Sequence, residues 1–280
     1  MPEFTDKTFK ALAGTQFIDI AYREWGAADN PKVAVCVHGL SRNLKDFDDL
    51  ARALAPEWRV LSVDMPGRGK SAWLDDKSLY GYPLYESVCV GLIAASGADE
   101  VAWIGTSMGG NLGMRLAARP GAPISRLVLN DIGPFVPAEG RRHNQADFGK
   151  DPRFASEAEG VAHVRATRGV FGPFTEAGWE KFGKDSLRRL EDGQWTLHYD
   201  PGLAGGGPIT DSDMWDIWPD IRIPVLTIWG EESKILTAAT VDRMTKSGPR
   251  TLVYAVPGVG HCPGLTTKGE IDAIAGFIGG

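Results

Sequence analysis

The chain has 280 residues, of which 43% are hydrophobic and 24% charged, and its formal net charge at pH 7 is −6. These values are typical of a globular protein with one α/β domain that carries an insertion. No stretch combines clustered Lys and Arg with aromatic residues, so we expect no nucleic-acid-binding surface and interpret the pair Arg141-Arg142 as a solvated face.

The sequence has no feature of a secreted or membrane-bound protein. The first ten residues mix charges of both signs and contain no apolar core of a signal peptide, and no apolar run approaches the ~18 residues that span a bilayer. Three cysteines, Cys36, Cys89 and Cys262, are too few and too scattered for a disulfide framework or a zinc site. We therefore expect a cytoplasmic protein with no membrane contact and no bound metal.

In the first half of the chain, apolar runs of strand length alternate with amphipathic stretches of helix length. Strands buried on both faces are predicted at Lys32–Val37, Trp58–Val63, Val101–Ile104 and Leu127–Leu129. Helices are predicted between them, at Asp46–Leu54, Tyr85–Ser96 and Gly109–Ala118. This alternation predicts a parallel sheet with helices on both faces, and the even alternation of Phe17–Arg23 predicts an antiparallel edge strand.

The pattern changes between Gly133 and about Ile221, where Gly, Pro, charged and aromatic residues dominate and no strand is predicted. A structureless loop of this length is uncommon in a compact domain, so we expect an inserted, mostly helical cap packed by its own aromatic rings. Strands and helices resume at Val225–Trp229, Ala238–Met244, Leu252–Val256 and Lys268–Ile278. The predicted organisation is a core of residues 1–133 and 222–280 with a cap of residues 134–221.

A serine-centred motif, Gly-Thr-Ser-Met-Gly at residues 105–109, joins the strand Val101–Ile104 to the following helix. A strand-to-helix elbow needs small residues beside its serine, because larger side chains would collide with neighbouring backbone. The elbow directs the hydroxyl outward at the carboxyl end of the sheet, where open α/β folds have their sites. Ser107 is therefore the predicted nucleophile, and a serine that only caps the helix is the structural alternative.

Two loops after other strands complete the predicted site. The turn at residues 38–41, His-Gly-Leu-Ser, can direct a backbone N–H at a developing oxyanion, so the amides of Leu40 and Met108 are the predicted oxyanion hole. We expect His38 to orient this turn, and interpret the next loop, Asp64–Ser71, as scaffold. His261 follows the last strand in a glycine-rich loop that can bend over the sheet, and it is the predicted base.

These motifs together resemble the α/β-hydrolase superfamily, in its bacterial esterase-like branch. The matching positions are His38-Gly39, the loop Asp64–Ser71, the elbow at Ser107, residues 129–134 (Leu-Asn-Asp-Ile-Gly-Pro), Pro224–Gly230 and residues 260–263 (Gly-His-Cys-Pro). The resemblance implies a mostly parallel sheet of the eight-stranded type flanked by helices, with an inserted cap. It also implies a serine hydrolase that needs no cofactor.

The sequence departs from the superfamily at the catalytic acid. Most relatives have this acid three or four residues after the glycine that corresponds to Gly230, where this chain has Ser233 and Lys234. Asp131 follows a strand from which some branches draw their acid, and it preserves the order Ser…Asp…His. Glu232 or Glu231 could instead reach the histidine, or the acid is lost. Asp131 is the predicted acid, because the imidazole needs an acceptor at Nδ1 to hold its tautomer.

The predicted reaction is hydrolysis of a small-molecule carboxylic ester through an acyl-enzyme. The sequence Ser-Met-Gly-Gly at residues 107–110 also fits hydrolases of carbon–carbon bonds in vinylogous diketones, but those enzymes usually have a tryptophan soon after the histidine, where this chain has Cys262-Pro263-Gly264. A thioesterase or lactonase would use the same groups. A weakly active ligand-binding protein is the remaining alternative, because the customary acid is absent.

Overall fold

The computed structural model describes residues 4–144, 148–169, 171–205 and 208–280, without the side chains of residues 143 and 144. The strands are β1 (Phe4–Ala13), β2 (Gln16–Trp25), β3 (Val33–Val37), β4 (Arg59–Val63), β5 (Val101–Thr106), β6 (Ile124–Asn130), β7 (Phe135–Val136), β8 (Leu187–Arg189), β9 (Trp195–Leu197), β10 (Ser212–Asp213), β11 (Val225–Gly230) and β12 (Thr251–Val256). The helices are α1 (Asp48–Leu54), α2 (Tyr82–Ser96), α3 (Met108–Ala117), α4 (Ala138–Asn144), α5 (Glu157–Thr167), α6 (Glu176–Asp185), α7 (Ala238–Lys246) and α8 (Lys268–Gly279).

One sheet of eight strands, in the order β1-β2-β4-β3-β5-β6-β11-β12, forms the centre of the protein. β1 pairs with β2 and β2 with β4 in antiparallel fashion, and the remaining neighbours are parallel. Apolar side chains on the two faces of the sheet form two separate buried clusters with the flanking helices. The predicted fold class, a mostly parallel sheet flanked by helices, is therefore confirmed. Within the described ranges, no helix has the length and apolarity needed to cross a membrane.

The start of the sheet differs from the sequence prediction. Phe17–Arg23 lies in an antiparallel strand, as predicted, but that strand is β2, which pairs on both sides; the edge strand is β1. The sequence of β1 is rich in charged and hydroxyl residues because most of its side chains are exposed. Cross-strand ion pairs hold it to β2, including Asp6 with Arg23 and Lys7 with Glu24, both at 2.8 Å.

The described part of the segment between β6 and β11 contains the helices α4, α5 and α6 and two small strand pairs, β7 with β10 and β8 with β9. No strand was predicted here, because strands of two or three residues are too short to show an alternating pattern. The aromatic rings pack on one another: Phe174 lies 5.1 Å from both Trp179 and Phe182 between ring centroids. Residues 145–147, 170, 206 and 207 of this segment lie outside the described residues, and the cap boundaries stay a prediction.

Helix α3 lies so close to the sheet that only glycine fits at its contact points. A Cβ atom on Gly109 would lie 1.9 Å from the carbonyl oxygen of Val37, and one on Gly105 would lie 2.3 Å from the carbonyl oxygen of Gly109. Both obstacles are backbone atoms, which cannot rotate away. The two glycines of the elbow therefore fix the distance between α3, β3 and β5, and with it the position of Ser107 between them.

We predict that Gly109→Ala destabilises the protein by about 2 kcal/mol or more, because the new methyl group must push α3 off the sheet. Chemical denaturation gives the change in the free energy of unfolding. The matched control is Gly276→Ala on the exposed face of α8, where no atom lies within 4 Å of the position that the methyl group would take. That substitution should leave stability unchanged or raise it by about 0.5–1 kcal/mol. Equal effects of the two substitutions would contradict the packing argument.

Candidate active site

Ser107 sits on a strained turn between β5 and α3. Its backbone has φ 51° and ψ −110°, and residues other than glycine rarely adopt such a positive φ. The Ser107 amide donates to the Asn130 carbonyl at 3.1 Å, and its own carbonyl accepts from the amides of Gly110 and Asn111, each at 3.0 Å. The hydroxyl makes no capping hydrogen bond to the helix. The structure therefore does not support the alternative that Ser107 is only a capping residue.

His261 lies in the loop between β12 and α8 and faces Ser107. Its Nε2 atom is 3.0 Å from the Ser107 Oγ, and the ring is almost fully buried. The loop comes close because Gly230 at the end of β11 has no side chain: a Cβ atom there would lie 2.2 Å from the Gly260 carbonyl oxygen. The predicted nucleophile and base are thus brought within hydrogen-bond distance from positions 154 residues apart.

Asp131, directly after β6, holds the other side of the imidazole. Its Oδ2 atom is 2.6 Å from His261 Nδ1, and its carboxylate has no exposed surface. The Gly230 amide donates to Oδ1 at 2.9 Å, and the Ser233 hydroxyl donates to Oδ2 at 2.6 Å. A carboxylate at Nδ1 holds the proton on that nitrogen and leaves Nε2 free to accept one from Ser107.

The other acid candidates do not reach the histidine. Glu231 and Glu232 are exposed. Among the contacts that the structure describes, only their backbone amides are hydrogen-bonded, and these donate to the carbonyls of Val256 and Val259. Among the described contacts neither carboxylate meets His261, so the structure brings Asp131, not a loop glutamate, to the imidazole.

Ser233 is a residue that the sequence analysis missed. We considered it only as a position that cannot supply an acid, yet its hydroxyl donates to Asp131 and accepts from the amides of Ile235 and Leu236, both at 3.1 Å. These two amide donors commit the hydroxyl proton to Asp131. The strand order contains the signal: β6 and β11 are neighbours, so residues just after each strand meet.

The turn after β3 carries the predicted oxyanion-hole residue Leu40. The Gly39 carbonyl, which shares a peptide group with the Leu40 N–H, accepts hydrogen bonds from His38 Nδ1 at 2.7 Å and the Arg42 amide at 3.1 Å. His38 Nε2 accepts from the Met65 amide at 3.0 Å, and burial lowers the pKa of His38 to about 3. His38 is therefore a neutral side chain that orients the turn, as expected.

Leu40 and Met108 line the same cavity as Ser107 and His261. Met108 is the first residue of α3, so its amide has no acceptor within the helix. A Cβ atom on Gly39 would lie 3.6 Å from the Ser107 Cβ, so this turn lies beside the elbow. The structure thus brings both predicted amide donors to the wall on which Ser107 lies.

The cavity has a volume of about 500 Å³ and is lined by residues of both the sheet loops and the segment 134–221. Its wall carries aromatic rings and hydroxyl groups, among them Tyr80, Tyr82, Phe148 and Phe171. Cys262 also lines it, but burial raises the pKa of this thiol well above its ordinary value, which disfavours the nucleophilic thiolate. In the part of the chain that the structure describes, no three His, Cys, Asp or Glu side chains are grouped so that they could hold a metal ion.

Comparison with known proteins covers almost the whole chain. Residues 34–271 match the alpha/beta hydrolase family. The chain is 37% identical over 272 residues to the 3-hydroxybutyrate-oligomer hydrolase of Cupriavidus necator, covering 93% of each. It is 27% identical over 241 residues to esterase YbfF of Escherichia coli, covering 83% of this chain and 87% of the relative. A solved alpha/beta hydrolase from Novosphingobium aromaticivorans superposes with a TM-score of 0.86 at 30% identity, covering 100% of this chain and 99% of the other.

We predict that Asp131→Asn lowers kcat for ester hydrolysis roughly 10³- to 10⁴-fold, because an amide at Nδ1 favours the wrong imidazole tautomer. Steady-state kinetics with a chromogenic ester measures this loss. Glu231→Gln and Glu232→Gln are the matched controls, and each should stay close to the parent rate. A near-normal rate for Asp131→Asn, with a large loss in either glutamine variant, would move the acid to the loop.

Proposed function

The chain belongs to the α/β hydrolase family and is a hydrolase of that family, and we propose that it is a serine esterase acting through an acyl-enzyme intermediate. The observation that carries the proposal is the continuous hydrogen-bond chain from Asp131 through His261 to Ser107, with distances of 2.6 and 3.0 Å. Relatives that are named hydrolases and esterases support the same class of reaction.

In the proposed mechanism, the Ser107 oxygen attacks the ester carbonyl carbon while His261 Nε2 accepts the hydroxyl proton. The amides of Leu40 and Met108 stabilise the negative charge that develops on the carbonyl oxygen. His261 then gives its proton to the departing alcohol, which leaves an acyl-enzyme. A water molecule loses a proton to the same nitrogen and attacks the acyl carbon, and His261 then returns this proton to the Ser107 oxygen as the acid departs. Asp131 stabilises the imidazolium in both halves.

We further propose short esters of hydroxy acids as the substrate class. The relative of Cupriavidus necator is named for hydrolysing 3-hydroxybutyrate oligomers, and it matches 93% of this chain at 37% identity. A cavity of about 500 Å³ with mixed apolar and hydroxyl groups has room for such a chain. An oligomer of this type ends in a free carboxylate, so a cationic group in the cavity would favour it.

Arg141 on α4 is the candidate for that cationic group. It is half-buried and lines the cavity, whereas its neighbour Arg142 is exposed and does not, so the interpretation of this pair as a solvated face fits Arg142 alone. Arg141 donates one hydrogen bond, to the Thr210 carbonyl, and has no ion pair among the described residues. Asp211, the one carboxylate among the described lining residues, caps α4 through the Ala138 amide at 2.7 Å.

Other reactions of the same machinery are less well supported. A carbon–carbon hydrolase, a thioesterase or a lactonase would use the same triad, but no contact described in the cavity favours one of them over ester hydrolysis. The carboxylate at His261 favours turnover over a protein that only binds a ligand. A small-molecule substrate without nucleic acid or membrane, and a cytoplasmic location, remain predictions.

We predict that Ser107→Ala lowers hydrolysis of p-nitrophenyl acetate and butyrate by roughly 10⁴-fold or more, because no acyl-enzyme can form. Cys262→Ala is the control for the other nucleophilic side chain in the cavity and should retain activity. A fluorophosphonate should transfer its phosphonyl group to Ser107 with loss of fluoride, and the peptide that contains Ser107 should gain the mass of that group. Equal activity of the parent and Ser107→Ala proteins would contradict the proposed function.

We predict that Arg141→Gln abolishes a preference for esters with a free carboxylate. The measurement compares kcat/KM for 3-acetoxybutanoate with that for its methyl ester, and the parent should favour the acid about tenfold, the value of one partly buried charge-assisted contact. Arg142→Gln is the matched control and should keep the parent ratio. An unchanged ratio in Arg141→Gln would reject Arg141 as the carboxylate-binding group, and activity on neither ester in the parent would instead reject the substrate class.

A further inference from the structure

Arg68 lies behind the proposed oxyanion hole, in the loop that the sequence analysis interpreted as scaffold. Its side chain has no exposed surface. The guanidinium donates from Nε to the Leu40 carbonyl at 2.9 Å, and from Nη1 to the Pro66 carbonyl at 2.7 Å and the Tyr85 hydroxyl at 2.9 Å. Its Nη2 atom lies 3.6 Å from the Met108 Sδ. One buried side chain therefore contacts both residues whose amides are the predicted oxyanion hole.

The charge of Arg68 has no counter-ion among the described residues, unlike the charges of the buried Arg23 and Arg42 and of the partly buried Arg59. Each of those arginines is paired with a carboxylate: Arg23 with Asp6 and Asp48, Arg42 with Asp46, and Arg59 with Glu24. Asp64 is in the same loop as Arg68, but its carboxylate accepts from the amides of Leu44 and Lys70, each at 2.8 Å. An arginine stays protonated when buried, so the loop contains an uncompensated positive charge with a large desolvation cost.

The neighbouring histidines respond to this charge. Burial is the largest cause of the lowered pKa of His38, and the positive charge of Arg68 is the second. Burial also lowers the pKa of His198, and the charge of Arg68 contributes to that shift. Both rings are almost fully buried, and the His198 Nδ1 accepts from the Gly69 amide at 3.2 Å. The region behind Leu40 is therefore buried and contains the positive charge of Arg68. A negative charge that appears on the cavity side would be stabilised there.

We propose that Arg68 is a positioning residue for the oxyanion hole. It fixes the Leu40 carbonyl and the Met108 thioether so that the two amides converge, and its charge favours the oxyanion over the neutral ester. The Gly39–Leu40 peptide is held from the other side by His38, so both peptide groups of Leu40 have fixed partners. This inference rests on the proposed acyl-transfer function and adds a residue to it. The effect of Arg68 on the oxyanion arises from its uncompensated charge, which the fold retains although burying that charge costs stability.

The test measures transition-state and ground-state binding separately. An aryl boronic acid forms an anionic tetrahedral adduct with a serine nucleophile and reports on the oxyanion hole, whereas KM for p-nitrophenyl butyrate reports mainly on the neutral ester. For Arg68→Gln we expect kcat to fall roughly 10- to 100-fold and boronate affinity to fall by a similar factor, with KM changed less than about twofold. Rates are expressed per active site titrated with a fluorophosphonate.

Two further variants keep the inference falsifiable. Arg59→Gln removes a partly buried arginine that donates to the Ser96 carbonyl and the Glu24 carboxylate, away from the cavity, and it should lower Tm while kcat per titrated site stays normal. Arg68→Lys keeps the charge but cannot span both Leu40 and Met108, so its kcat should fall severalfold. This variant supplies the test if Arg68→Gln does not fold. Parent-like boronate affinity and kcat in either Arg68 variant would overturn the proposal. A parent protein without esterase activity or boronate binding would reject the proposed function instead.

Discussion

The site depends on one fully buried carboxylate. Asp131 accepts hydrogen bonds from the Gly230 amide, the Ser233 hydroxyl and the His261 imidazole, and so joins the ends of β6 and β11 to the loop after β12. Hydrogen-bond donors on both oxygens stabilise a buried carboxylate, and three separate segments supply those donors to this side chain. Without it the imidazole would have no fixed orientation toward Ser107.

The sequence predicted those features that arise from local chemistry. The elbow at Ser107 follows from glycines that approach the backbone too closely for any side chain, and His261 follows from its glycine-rich loop after a buried strand. The parallel core was equally visible, because strands buried on both faces are continuous apolar runs. The order of strands along the sheet is not local, and the adjacency of β6 and β11 is what brings Asp131 and Ser233 together.

Features that depend on distant partners were missed or misinterpreted. Arg68 was assigned to a scaffold loop, although its contacts lie 28 and 40 residues away in the chain. The exposed, polar β1 has no apolar pattern of its own and is held by pairing with β2. Arg141 and Arg142 cannot be distinguished from the sequence. In the structure, the half-buried Arg141 lines the cavity, whereas the exposed Arg142 lies on the surface. In each case the role is set by tertiary contacts rather than by residue type.

We propose that Asp131 takes over the task of the acid that is absent at Ser233 and Lys234. The most direct test is the proton NMR spectrum of the protein in water, in which a histidine Nδ1 proton bonded to a buried carboxylate resonates far downfield of the amide region. We predict that this resonance is present, survives in Glu231→Gln and Glu232→Gln, and is lost in Asp131→Asn. Its persistence in Asp131→Asn, or its loss in a glutamine variant, would contradict the account.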